Sequence, residues 1–114
     1  VFAWAEFHQP SISTFSIVAR DLKTGEIGVA VQSKFVAVGS VFPYAKAGIG
    51  AVASQAWGNP RYGPIGLELL AHGKSADEGV GLITASDPNP EYRQLAIIGN
   101  DGNASMFTGR EWMK

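Results

Sequence analysis

The side chains in this sequence that could do chemistry are few and thinly spread. There is no cysteine, which excludes disulfides, thiolate metal sites and a thiol nucleophile. Neither His8 nor His72 has a neighbour at ligand spacing, so no metal centre is expected. The glycines lack the lysine and the strand-to-helix context of a phosphate cradle, and nothing else in the chain implies a cofactor. Ser54-Gln55 falls in a predicted strand, where such a pair ordinarily satisfies neighbouring backbone. Lys34 reads most simply as a surface lysine. Trp57, Tyr62 and Tyr44 are candidates to line a ligand cleft, although aromatic residues more often pack.

The whole chain narrows the function classes. Its 114 residues suit one domain. Lysines and arginines are scattered singly from Arg20 to Lys114 and the formal net charge is -1, so nucleic acid is not an expected partner. No apolar run approaches the roughly 20 residues of a membrane-spanning helix. Charged residues make up 17% of the chain, below the roughly one quarter typical of soluble domains. Part of the surface is therefore expected to be covered, by another copy in a homo-oligomer or by a missing C-terminal half. Residues 1–13 show no clean period and are interrupted by Pro10, which reads as an N-terminal arm. Ala3-Trp4-Ala5 has the small-x-small form of a signal-peptidase site. A secretory remnant and a chance pair of alanines stand as equal readings, so a secreted or envelope location and a cytoplasmic one both stay open.

Regular periodicity begins at Thr14. Thr14 to Arg20 alternates as a strand with Phe15, Ile17 and Ala19 on one face. Asp21 to Glu26 is a turn, with Gly25 at a positive φ. Ile27 to Ser33 alternates again, with Ile27, Val29 and Val31 inward. Phe35 to Val41 and Ile49 to Ala56 are predicted as further strands. A helix is predicted from Pro64 to His72, closed by Gly73, with Ile65/Leu69 and Leu67/Ala71 as its buried pairs. Ser75 and Glu78 form a capping box for a second helix to Ala85, burying Ala76, Val80 and Ile83. Gly79 and Gly81 weaken that helix, which close packing on a sheet would explain. Arg93 to Gly99 and Ala104 to Thr108 read as a hairpin around Asn100-Asp101-Gly102-Asn103. Strands grouped apart from helices make the fold class α+β.

Several of these segments also carry a family resemblance. They are Thr14 to Asp21, Gly28 to Phe35, Ala37 to Val41, Gly50 to Trp57, Asn59 to Pro64 and Gly66 to Leu70. In order and spacing the chain resembles the domain of unknown function 1028 family over about Thr14 to Gly109. The resemblance implies an Ntn-hydrolase-like αββα sandwich, two sheets between helical layers, of which residues 14–114 would be the N-terminal part. Some members carry a peptidoglycan-binding domain, so it also implies a cell-wall association and a cofactor-free amide or peptidoglycan-type hydrolase. A non-catalytic, self-assembling envelope protein is the alternative.

Under that resemblance Thr14, opening the first strand, is the candidate nucleophile. A free N-terminal threonine can use its own α-amine as the base. Lys34 would lower the pKa of that amine, and Ser33, Ser54 and Gln55 would donate to an oxyanion. Against this, residues 1–13 precede Thr14, so its nitrogen lies in a peptide bond, and Ser13-Thr14 lacks a glycine-type self-cleaving junction. The plain reading of Thr14 is a β-branched strand residue.

Overall fold

The computed structural model describes residues 14–33, 37–40 and 43–111. Strands β1 (Thr14–Arg20) and β2 (Ile27–Ser33) form an antiparallel hairpin in which Thr14 faces Ser33 and Arg20 faces Ile27. Its turn is built as the sequence requires. The Asp21 carboxylate accepts from the amides of Lys23 and Thr24 at 2.7 and 2.9 Å, which holds its pKa below the ordinary carboxylate value.

A second sheet has the order β3-β4-β5-β6, all antiparallel, from β3 (Pro43–Lys46), β4 (Gly50–Ala56), β5 (Arg93–Gly99) and β6 (Ala104–Thr108). β3 went unpredicted, because it has only four residues, begins at a proline and lies at the sheet edge. The strand predicted for Phe35 to Val41 is not formed by its described residues. Ala37 takes φ +59°, a left-handed conformation that ends extension, and Val38–Ser40 follow as a 3-10 turn. Phe35, Val36 and Val41 lie outside the described residues.

Two helices, α1 (Tyr62–Ala71) and α2 (Ala76–Ser86), pack on one face of the four-stranded sheet. Val52, Leu95 and Ile97 from the sheet and Tyr62, Ala76, Val80 and Ile83 from the helices form the core between them. The hairpin covers the opposite face, with β1 over β4 and β5 and β2 over β3 and β4. Its own outer face is bare: Phe15 is 63% and Ile17 60% exposed.

α1 starts two residues before Pro64. Proline is tolerated there because amides of the first turn have no intrahelical partner. It ends in a Schellman motif, with Lys74 N donating to Leu69 O at 3.0 Å, Gly73 N to Leu70 O at 3.1 Å, and Gly73 at φ +85°. The predicted buried pairs were wrong in part, since Ile65 and Ala71 are exposed. The face against the sheet is instead Tyr62, Gly63 and Gly66. A Cβ on Gly66 would lie 2.9 Å from Val52, and one on Gly63 1.9 Å from the Tyr44 ring. Close approach, rather than aliphatic bulk, selected that face. α2 carries the predicted capping box and buries Ala76, Gly79, Val80 and Ile83. Gly79 does approach the sheet, 3.4 Å from Ile97 at the position of a Cβ, whereas Gly81 faces open space and packing does not explain it.

A buried polar network ties the layers together. Asp87, the C-cap of α2, accepts from the Tyr62 hydroxyl at 2.5 Å, from Arg93 Nε at 2.9 Å and from the Asn89 amide at 2.8 Å. Arg93 also donates to the Trp57 carbonyl. Burial alone would raise the pKa of Asp87, but the bonds from Arg93, Tyr62 and Asn89 outweigh it and hold the carboxyl well below the ordinary range. Burial and the adjoining carboxylate push the Tyr62 hydroxyl up.

Three substitutions test this account of stability. Gly81→Ala is expected to raise the thermal midpoint, being worth about 0.5–1 kcal/mol in a helix interior. Gly63→Ala is expected to lower it, overpacking there costing about 1–3 kcal/mol of stability. Because Asp87 has a lowered folded pKa, its contribution is complete above the unfolded aspartate value of about 3.9 and is lost as pH falls through that value toward the folded one. Asp87→Ala should cost about 3–5 kcal/mol at neutral pH and flatten the acid limb in urea titrations between about pH 5 and pH 2.

Candidate functional site

The predicted site residues divide between the two faces of the four-stranded sheet. Side chains alternate along β4, so Val52 and Ser54 point toward the helices while Ala51, Ala53 and Gln55 point toward the hairpin. Ser54 is 2% exposed and its hydroxyl has no partner among the described residues. It is therefore separated from the other candidates by the sheet itself. Lys34 lies outside the described residues.

Thr14, Ser33 and Gln55 do come together, joined by Ser16. Antiparallel pairing sets Thr14 opposite Ser33 at the open end of the hairpin, and their hydroxyl oxygens are 2.6 Å apart. From the sheet below, the Gln55 carboxamide reaches β1. Its nitrogen donates to the Thr14 carbonyl at 2.6 Å, and its oxygen accepts from the Ser16 hydroxyl at 2.5 Å and from the Ser16 amide at 2.6 Å. All four side chains are half-buried. Ser16 was not among the predicted candidates. Its signal was available, since it shares with Thr14 the β1 face opposite Phe15 and Ile17.

The four described side chains of the cluster are themselves uncharged. Two hydroxyls in hydrogen-bond contact can pass a proton between them, and an amide can orient a carbonyl. Neither supplies a base. Among the described residues no group of acidic and histidine side chains could hold a metal ion. A hollow of about 790 Å³ lies at the turn end of the hairpin around Ala19, Gly25, Glu26 and Ala45. That is the opposite end from Thr14, so its size says nothing about the hydroxyl cluster.

The aromatic candidates do not form one cleft. Tyr62 is buried and committed to Asp87, and the Tyr44 ring packs against Gly63. Trp57 is 68% exposed, following Ala56, whose φ of +66° turns the chain out of β4 beyond Gln55. The Trp57 amide donates to the Tyr92 carbonyl at 3.3 Å, so its backbone is held at the end of β4 while its ring stays in solvent. No helix among the described residues is long and apolar enough to cross a membrane.

Comparison with known proteins gives a family and no activity. A family of unknown function, DUF1028, matches residues 14–114. The crystal structure of protein SPO2555 from Silicibacter pomeroyi, assigned to the same family, superposes with a TM-score of 0.83 at 37% identity. The alignment covers 89% of this chain and 46% of that one, so the chain spans about half the length of this relative. No curated protein matches.

Gln55→Glu is expected to destabilise the chain by about 1–3 kcal/mol, because the donor to the Thr14 carbonyl is lost and a carboxylate oxygen then faces that carbonyl. The check is a urea titration at pH 7. Acidification should restore part of the loss as the glutamate takes up a proton.

Proposed function

Since the chain belongs to the DUF1028 family, we propose that the complete protein is a cofactor-free amide hydrolase of the N-terminal-nucleophile type, with Thr14 as nucleophile once residues 1–13 are removed. The observation that carries this reading is the placement of the Thr14 hydroxyl. It stands at the first position of β1, 2.6 Å from Ser33 Oγ, and the family match opens at the same residue.

The chemistry requires a base, and the freed α-amine of Thr14 is the one at hand. An unperturbed α-amine has a pKa of about 8, so near neutral pH it is partly deprotonated and can take the hydroxyl proton during attack on an amide carbonyl. Ser33 is then placed to donate to the oxygen that develops negative charge, and Gln55 holds the carbonyl side of Thr14 in register. Lys34, next in sequence after Ser33, is assigned the task of lowering the amine pKa. The stacked sheets with helices outside one of them suit three layers of an Ntn-hydrolase-like αββα sandwich. A peptidoglycan-type amide in the cell envelope is the substrate class this reading favours.

A second reading has its own observation. The bare outer face of the hairpin, with Phe15 and Ile17 in solvent, suits a non-catalytic protein that assembles through that surface.

Intact mass and N-terminal sequencing of the protein from its natural source decide whether Thr14 becomes terminal. In the matured protein, Thr14→Ala should abolish amide hydrolysis while leaving the thermal midpoint within a few degrees, and Thr14→Ser should retain a fraction. Turnover should rise with pH as the amine loses its proton. Full activity in Thr14→Ala removes Thr14 from the mechanism.

A further inference from the structure

β1 presents a backbone edge that nothing among the described residues pairs. Gln55 identifies which groups lie on it. The Thr14 carbonyl and Ser16 amide point to Gln55, so the even-numbered residues of β1 turn their peptide groups away from β2. The odd-numbered residues make the hairpin ladder, which the bond from Asp21 N to Glu26 O at 2.8 Å continues. Beyond Gln55, the Ser16 carbonyl, both groups of Val18 and the Arg20 amide are left along the free edge.

That edge has a direction. β2 lies over β3 and β4, and β1 over β4 and β5, so the open side of β1 faces β6. Burial along one cross-strand row records where the hairpin stops. Ala53 on β4 is 2% exposed, Ala96 on β5 is half-buried, and Met106 on β6 is 77% exposed. These three point to the hairpin side, since Phe107 next to Met106 packs toward the helices. Neighbouring strands in a sheet lie about 4.8 Å apart, so one more strand on β1 would sit over β5 and β6 and cover Met106.

A third observation lies at the far end of the same edge. Arg20 Nε is buried with no partner among the described residues. Its guanidinium sits beside the β5–β6 turn, approaching Gly102, where its charge adds to the Asn103 hydrogen bonds that chiefly hold the Asp101 carboxyl below the ordinary value. A buried donor of this kind is destabilising if it is left without an acceptor.

We propose that the free edge of β1 is the docking site of one further β-strand, contributed by the part of the family's polypeptide that this chain does not span. The strand pairs with Ser16, Val18 and Arg20, lays an apolar face over Met106 and Ala104, and brings an acceptor to Arg20 Nε. The occupant follows from length: the alignment leaves more than half of the Silicibacter pomeroyi chain unmatched, since it covers 46%. Exposed edges are the ordinary sites of strand addition.

Amide hydrogen exchange on two proteins tests this. One is the 114-residue chain, and the other is that chain joined to the remainder of the Silicibacter pomeroyi polypeptide in place of its matched part. The amides of Ile17 and Ala19, bonded within the hairpin, report in both samples that it is folded. The amides of Val18 and Arg20 should exchange fast in the chain alone and on the order of a hundredfold more slowly in the joined protein, as a monomer. Val18→Pro should abolish that slowing at Arg20 and leave Ile17 and Ala19 unchanged. Fast exchange at Val18 and Arg20 in the joined protein overturns the proposal. So does protection already present in the chain alone, which assigns the edge to a second copy if light scattering gives a dimer, or to the chain's own remaining residues if it gives a monomer.

Discussion

Asp87 is the point at which the ends of four elements are fixed relative to one another. It closes α2, receives the hydroxyl of the first residue of α1 and the guanidinium of the first residue of β5, and through Arg93 reaches the carbonyl just after β4. A carboxylate removed from water must be offset by bonds of good geometry. Here three donors meet it, so the cost of burial is turned into positional definition. Without the network the helical layer would still find an apolar sheet face, but the point where β4 ends and the chain turns outward at Ala56 would be loosely set.

That turn bears on the site. Gln55 is the last residue of β4 to face the hairpin, and only one residue separates it from the segment held by Tyr92 and Arg93. The helical side of the sheet, which has no contact with Thr14, thus governs how far Gln55 can reach. Core and hydroxyl cluster are coupled through the backbone of one strand, whose alternating residues serve opposite layers.

Much of this was legible in the sequence where a local rule settles the outcome. The Asp21 turn, the Ser75 capping box, Gly73 beyond α1 and both hairpins follow from neighbours a few residues apart. Failures came where the deciding partner was distant. Ile65 and Ala71 carry the right spacing for burial, yet the glycines at 63 and 66 won, because Tyr44 and Val52 come too close for a side chain. Ser54 and Gln55 are adjacent in sequence but belong to different layers. Asp87 directly follows α2, and nothing local announced that it would be buried against residues 62 and 93. Of the site, Thr14, Ser33 and Gln55 were found together, Ser16 was missed, and Lys34 lies outside the described residues.

The reach of Gln55 has a consequence for how the two sheets can move. Hydrogen-bonded ladders fix register within each sheet, but stacked faces resist sliding only through the fit of their side chains. Gln55 crosses from β4 to the hairpin and presents an amide to the edge of β1 in the arrangement of a peptide from a neighbouring strand. It acts as a detent between layers. Sliding the hairpin by one residue would present it with peptide groups turned the other way, and sliding by two would require a new partner set. The layers are therefore held in discrete steps rather than along a continuum, and the hydroxyl cluster inherits a defined position from a contact that is neither strand pairing nor core packing.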